Sequence, residues 1–300
     1  MKILILFQRD FWKKFLEHLI HKDVFFNASA ITFNLFIFFV PFALLMVSIV
    51  GFILSHEAAM SEISRYASEY FPGLLQENVE HSAVVIERFV NPIIQRRGFF
   101  GIIGFGILVL TSLALFSCLK HVLFQVFDLE DRANPFKEMV YNFFVFGLIG
   151  GVFIFFSMVL SALSVITFNE INIPYTEISF QVDWAFELFT LFVPLFITFL
   201  LFFVIFRFLT ERKISLDVAV VGAFTYTFLF EVAKYAVSIY FDYAFRTYQN
   251  LYQSYTFLII LSVWVFYTAA LFVISSTFAK AYMDTELDEQ WQFIKQKQEA

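Results

Sequence analysis

The chain has 300 residues, 60% of them hydrophobic and only 15% charged, with a formal net charge of −6. A soluble domain is typically about 45–50% apolar and about 25% charged, so a water-soluble globule is excluded. The acidic balance argues against a nucleic-acid surface. The single cysteine, Cys118, cannot form an internal disulfide and reads as a buried, inert thiol in an apolar run.

The apolar stretch Ile3 to Phe7 is shorter than the roughly 7–15-residue core of a signal peptide. The first long hydrophobic segment is therefore expected to be retained. Residues 1–27 form an amphipathic arm. Phe11, Phe15, Leu19 and Ile20 share one helical face, with Lys13, Lys14, Glu17 and Lys22 elsewhere. A basic amphipathic helix ahead of a span lies in the membrane interface, where it anchors and orients the protein.

Six segments reach the roughly 20 apolar residues that cross a bilayer: 30–54, 98–127, 139–168, 185–206, 215–243 and 255–281. None alternates as a barrel strand would. The pattern predicts an all-α integral membrane protein, a single membrane domain over 1–300 built as a six-transmembrane-helix bundle. Residues 55–97 are too patterned for a mere connector. Ile63, Tyr66, Ala67, Tyr70 and Phe71 form one apolar stripe, and Leu75, Val79, Ile86, Phe89 and Ile93 lie on a second. They predict an extracytoplasmic helical cap of two short helices, either a plain cover or a lid over a cavity. Residues 284–300 read as a solvated helical tail with acids ahead of lysines, which suits the helix dipole.

Thirteen Lys and Arg fall in the two termini and the loops on their side, against five in the opposite loops. Positive charge stays in the cytoplasm, so both termini are predicted to be cytoplasmic. Arg96 and Arg97, just before the second span, oppose this assignment.

Polar residues inside spans carry the functional reading. Ala223, Thr227, Glu231, Lys234, Ser238 and Asp242 are spaced four, four, three, four and four apart in an otherwise apolar fifth span. That spacing places them in one row up a helix. A charge facing lipid costs several kcal/mol, so the row should turn inward. Glu231 and Lys234 are then either a structural ion pair or part of a substrate or proton path, with Glu187 a second acid nearby. Pro41, with Thr32 and Asn34 upstream, marks either a packed kink or a broken-helix region lining a cavity. Pro194 raises the same choice. Lys120 is expected to snorkel to the headgroups. Gly147-x-x-x-Gly151 permits close helix packing or homo-oligomerisation, and Gly98, Gly101, Gly104 and Gly106 read as packing positions.

Catalytic chemistry is not visible. Among His18, His21, His56, His81 and His121 only the first two are close, and they read as a surface pair with no completed ligand set. There is no P-loop, Gly-x-Ser-x-Gly or His-Glu-x-x-His. No metal, cofactor or catalytic residue is predicted, and the chain is not expected to be an enzyme.

The segment "ASAITFNLFIFFVPFALLMVSIVGF" (28–52) resembles the first span of the YihY/BrkB family, with small residues before an aromatic pair and a mid-span Phe-Pro ending at Pro41. Gly222-Ala223, Lys234, Tyr240, Tyr252 and "WVFY" (264–267) are similar to its final two spans. This chain has Leu123-Phe124, Tyr252-Gln253 and Ser275-Ser276-Thr277 where the family has Leu-Asn, Tyr-Gly and Gly-Ala-Glu. The resemblance implies a bacterial inner-membrane protein linked to envelope phenotypes. The family has also carried a ribonuclease BN label, against which the missing ligand set argues. The leading expectation is a transporter or lipid- or solute-handling protein of the cell envelope, with membrane lipids and an unknown solute or lipid as partners. The alternative is a non-catalytic membrane scaffold supporting envelope assembly. The orientation is open to test: in intact cells an impermeant thiol reagent should label cysteines placed in 55–97 and spare one in the tail. Labelling of the tail would overturn the assignment.

Overall fold

The structure, a computed structural model, describes residues 8–54, 91–130, 140–151 without 142 and 146, 183–252 without 212, and 256–299. These are helical almost throughout, and no strand occurs among them. The long helices are α1 (Arg9–His21), α2 (Val24–Ile53), α3 (Arg97–Phe127), α4 (Asp183–Val204), α5 (Leu216–Tyr252) and α6 (Thr256–Glu299). A π-helical turn, Ile205–Leu209, continues α4. Five stretches are long and apolar enough to cross a membrane: Val24–Ile53, Arg97–Phe127, Phe192–Leu209, Leu216–Val237 and Ile259–Asp288. The third predicted span is helical over the described part of 140–151, and the rest of it lies outside the described residues. So do residues 55–90 of the predicted cap.

Local chemistry accounts for the helix ends. α1 carries Asp10 in its first turn and His18 and His21 in its last, which complements the dipole. Asp23 adopts a left-handed backbone (φ 46°) and turns the chain into α2. α2 runs unbroken through Asn34 and Pro41, so the candidate broken-helix region is a proline inside a continuous helix. Its polar side chains bond back to the preceding turn: Ser29 to the Phe25 carbonyl (2.8 Å), Thr32 to Ala28 (2.7 Å) and Asn34 to Ala30 (2.9 Å). A span can carry such groups because none leaves a bare donor in lipid. α6, at 44 residues, is roughly 66 Å long, about twice the roughly 30 Å hydrocarbon core. The predicted tail is the last part of this same helix.

The chain packs as two compact units, and α3, α5 and α6 contribute to both. The first unit comprises Met1–Lys22, Lys120–Leu229 and Ile274–Ala300, and the second Asp23–Leu119 and Phe230–Val273. In the second unit α2 and α3 approach closely. Cβ atoms added at Gly101 and Gly104 would lie 3.6 Å from Ser48 Cβ and 3.7 Å from the Pro41 carbonyl oxygen. Proline and glycine therefore make a packed contact, and the half-buried Cys118 thiol shares a hydrogen bond with Asn34. Arg97 donates to the Gly51 carbonyl in the last turn of α2 and lies 5.4 Å from the Phe52 ring centroid. No described side chain closes on Gly147 or Gly151.

In the first unit α4 and α5 interlock through aromatic rings. Phe202 stacks on Tyr226, with centroids 3.4 Å apart. The fully buried Phe206 lies against Gly222, where an added Cβ would meet its ring at 3.1 Å. Alanine at 222 would gain up to about 1 kcal/mol in helix propensity but overpack a buried ring, which costs about 1–3 kcal/mol. Gly222→Ala should therefore lower the melting temperature in detergent. Gly98→Ala, whose added Cβ meets no described atom within 4 Å, should leave it unchanged or raise it. The reverse ranking would contradict this packing.

Candidate functional site

Two polar features stand out against the apolar background. The first is the row on α5. Thr227 is buried and its hydroxyl donates to the Ala223 carbonyl at 2.9 Å. Glu231 Oε1 and Lys234 Nζ meet at 2.6 Å, and the ammonium lies 5.7 Å from the Phe230 ring centroid. Glu231 is 24% exposed and Lys234 is 43% exposed. The pair is therefore formed but not enclosed by protein. Ser238 and Glu187 lie outside the residues whose side chains the structure describes.

The second feature lies in the first unit and was not read from the sequence. α3 ends at Phe127, and Asp128 follows with φ 54°, a region that costs a non-glycine residue energy. The Leu129 N–H returns to the Phe124 carbonyl at 2.9 Å, the closing bond of a helix-ending turn. Lys22 pairs with Asp128 Oδ1 and donates to the Gln125 carbonyl at 3.1 Å. Lys280 pairs with Asp128 Oδ2 at 3.2 Å and reaches the Phe127 carbonyl at 3.5 Å. The terminus of α3 thus has its free carbonyls and its acid served by two lysines.

A similar arrangement follows the π turn. Glu211 also has a left-handed backbone (φ 53°). Its carboxylate pairs with Lys120 at 2.9 Å and Lys213 at 3.6 Å. Both ammonium groups lie near the Phe124 ring, at 5.0 and 4.3 Å from its centroid. The Thr210 hydroxyl donates to Phe206 (2.6 Å), Tyr141 to Phe208 (2.6 Å) and Lys213 to the Glu130 carbonyl (2.7 Å). π turns recur at functional sites, and here one lets the carbonyls of a span's end reach several donors.

α1 completes the network. Phe11 is fully buried against Phe278, with centroids 4.9 Å apart. Lys14 pairs with Asp288 and donates to the Asp284 carbonyl at 3.0 Å. His18 Nε2 lies 2.9 Å from Asp284 Oδ2, and Lys280 reaches the same carboxylate at 3.1 Å. Two expectations change. Lys120 does not snorkel: it is 2% exposed, because Glu211 supplies the negative charge that headgroups would have offered. His18 and His21 are not a surface pair: His18 is drawn to Asp284 while His21 stays exposed. Ser275, Ser276 and Thr277 are all fully buried, with the Thr277 hydroxyl donating to Ile274 at 2.8 Å.

Burial alone would raise the Asp128 pKa, but hydrogen bonds and charge from Lys22 and Lys280 outweigh it and hold the carboxyl below its usual value. A lowered folded-state pKa gives stability that is complete above the unfolded pKa, about 3.9, and lost as pH falls through the folded one. Asp128→Asn should therefore flatten the acid side of the stability profile while leaving its slope above pH 6 intact. Glu211→Gln removes the carboxylate that pairs with the buried Lys120 ammonium. It should destabilise toward the low end of roughly 3–5 kcal/mol, since Glu211 is itself 24% exposed. Adding Lys120→Met should restore part of that loss; additive losses in melting experiments would show that the two do not interact.

Among the described residues no group of three His, Cys, Asp or Glu side chains could hold a metal ion. The family described as Virulence factor BrkB matches residues 15–298. A UPF0761 membrane protein of Vibrio parahaemolyticus is 25% identical over 262 residues, covering 85% of this chain and 76% of the relative. UPF0761 membrane proteins from two strains of Chlorobium phaeobacteroides are each 23% identical, covering 85% of this chain. The chain spans about half the length of those two, 52% and 55%. No solved structure matches it. With several apolar helices long enough to span a bilayer and a family match over nearly its whole length, the chain is a multi-pass membrane protein that belongs to the BrkB family.

Proposed function

We propose that this protein sits in the bacterial inner membrane with both termini in the cytoplasm and passes or handles a solute or lipid of the cell envelope, without catalysis. One observation carries the reading: an ion pair inside a span, Glu231 with Lys234, that the protein only partly covers. Charges facing hydrocarbon cost several kcal/mol. Water or the polar part of a ligand must therefore surround the open side of this pair. Thr227 and Ser238 extend the row along α5 and would serve such a path. Of the two arginines that oppose the basic asymmetry, Arg97 has a separate reason for its position, since it caps α2 at Gly51. The second reading, a scaffold, is favoured by the dense lysine–carboxylate network of the first unit, which supports a fixed structure.

Two measurements separate these readings. In a Cys118→Ser background, a hydrophilic maleimide should react with Lys234→Cys and spare Val232→Cys, an exposed apolar neighbour. No reaction at either position would remove the path. Glu231→Gln, Lys234→Met and the double variant should show coupled stabilities. The transport reading expects the double variant to be stable but inactive in an envelope-stress assay. A stable and active double variant would leave the pair as a structural link.

A further inference from the structure

α1 has three faces, and the protein covers one of them. The docked face holds Phe11, Lys14, Phe15, His18 and Lys22, which contact α6 and the end of α3, and Trp12 at its border meets Phe278 by a ring edge at 6.2 Å while staying half exposed. With about 100° per residue, Trp12, Leu16 and Ile20 fall together on a second face, and all three are exposed, Ile20 to 75%. Arg9 and Lys13, also exposed, fall on this same side. The third face holds Asp10, Glu17 and His21. Basic and apolar groups thus share one outward face, and the acids are gathered on the other.

We propose that the Trp12–Leu16–Ile20 face is a binding surface for anionic phospholipid. The position of α1 supports this occupant. Lys22 caps the last turn of α3, a membrane span, and Val24 opens α2, another span, three residues after α1 ends. The C-terminal half of α1 therefore lies at the boundary of the hydrocarbon. Leu16 and Ile20 lie at that boundary, and Trp12, one turn earlier on the same face, carries the surface outward to the headgroups, where tryptophan rings settle. Arg9 and Lys13 extend their stems over apolar surface and offer charge to phosphates. The apolar face expected to meet lipid from the sequence, built on Phe11 and Phe15, is occupied by Phe278 instead. The proposal rests on membership of the membrane and not on the transport reading.

The test uses the full chain with Cys118→Ser in nanodiscs of phosphatidylcholine, alone or mixed with phosphatidylglycerol. Single cysteines Leu16→Cys, Ile20→Cys and Glu17→Cys carry a fluorophore, and acyl-chain nitroxides quench it. Labels at 16 and 20 should be quenched several-fold more than the label at 17, and more strongly with phosphatidylglycerol. Arg9→Gln with Lys13→Gln should remove the phosphatidylglycerol dependence. Equal quenching at 16 and 17, or quenching indifferent to lipid charge, would overturn the proposal. Energy transfer between labels at 16 on two chains, with loss of quenching, would give this face to a second copy and overturn it as well.

Discussion

A helix that ends at the edge of a membrane leaves carbonyls and a negative dipole end without reliable water. In this protein basic side chains take that role repeatedly. Lys22 and Lys280 reach the Gln125 and Phe127 carbonyls at the end of α3, and Lys213 reaches Glu130 just beyond it. Arg97 donates to Gly51 at the end of α2, and Arg207 reaches the Ile214 carbonyl in the connection ahead of α5. An acid at the negative end of a helix would be unfavourable alone. Asp128 stands there because its two lysines neutralise both the carboxylate and the exposed carbonyls. Glu211 repeats the device with Lys120 and Lys213. The docking of α1 depends on the same groups, since Lys22 caps its C-terminus and Asp284 links His18 to Lys280.

The two charged features make different demands. The first-unit network keeps Lys120 buried against Glu211 and the Phe124 ring, and Lys280 buried against Asp128, Asp284 and the Phe127 carbonyl, so it is suited to holding helix ends in register. The Glu231–Lys234 pair has few such supports and stays open on one side. A partly open ion pair in a span is tolerable only beside something polar, and that contrast is why function is sought at the pair and architecture in the network. Buried serines and a threonine at 275–277 fit the architectural side: small residues let helices approach closely.

The spans were legible because long apolar runs have few alternative fates. The α5 row was legible because its spacing repeats within one helix. How far Lys234 would be covered was not, since coverage depends on neighbours the sequence does not name. The network shows the same limit. Lys14, His18 and Lys22 recur every four residues, as do Lys280, Asp284 and Asp288, yet the two rows mean little until α1 is known to lie along α6. Asp128 and Glu211 were missed because the left-handed position after a helix usually signals itself with glycine, and here each acid holds that conformation for its lysines. For α1 Phe11 and Phe15 do share an apolar face, but Ile20, read onto that face, lies on the exposed side, and the neighbour of the face is Phe278 rather than lipid.

Single acids with left-handed backbones, Asp128 and Glu211, each hold two lysines at the helix ends. Solid-state NMR of the full chain in lipid, with 15N in lysine side chains and 13C in Asp and Glu carboxyls, tests this pairing directly. Through-space contacts are expected from the Asp128 carboxyl to two lysine Nζ groups, and from the Glu211 carboxyl to two others. Asp128→Asn and Glu211→Gln should each remove one set. Lysine signals that are all mobile and solvent-like, with no contact to either carboxyl, would contradict it.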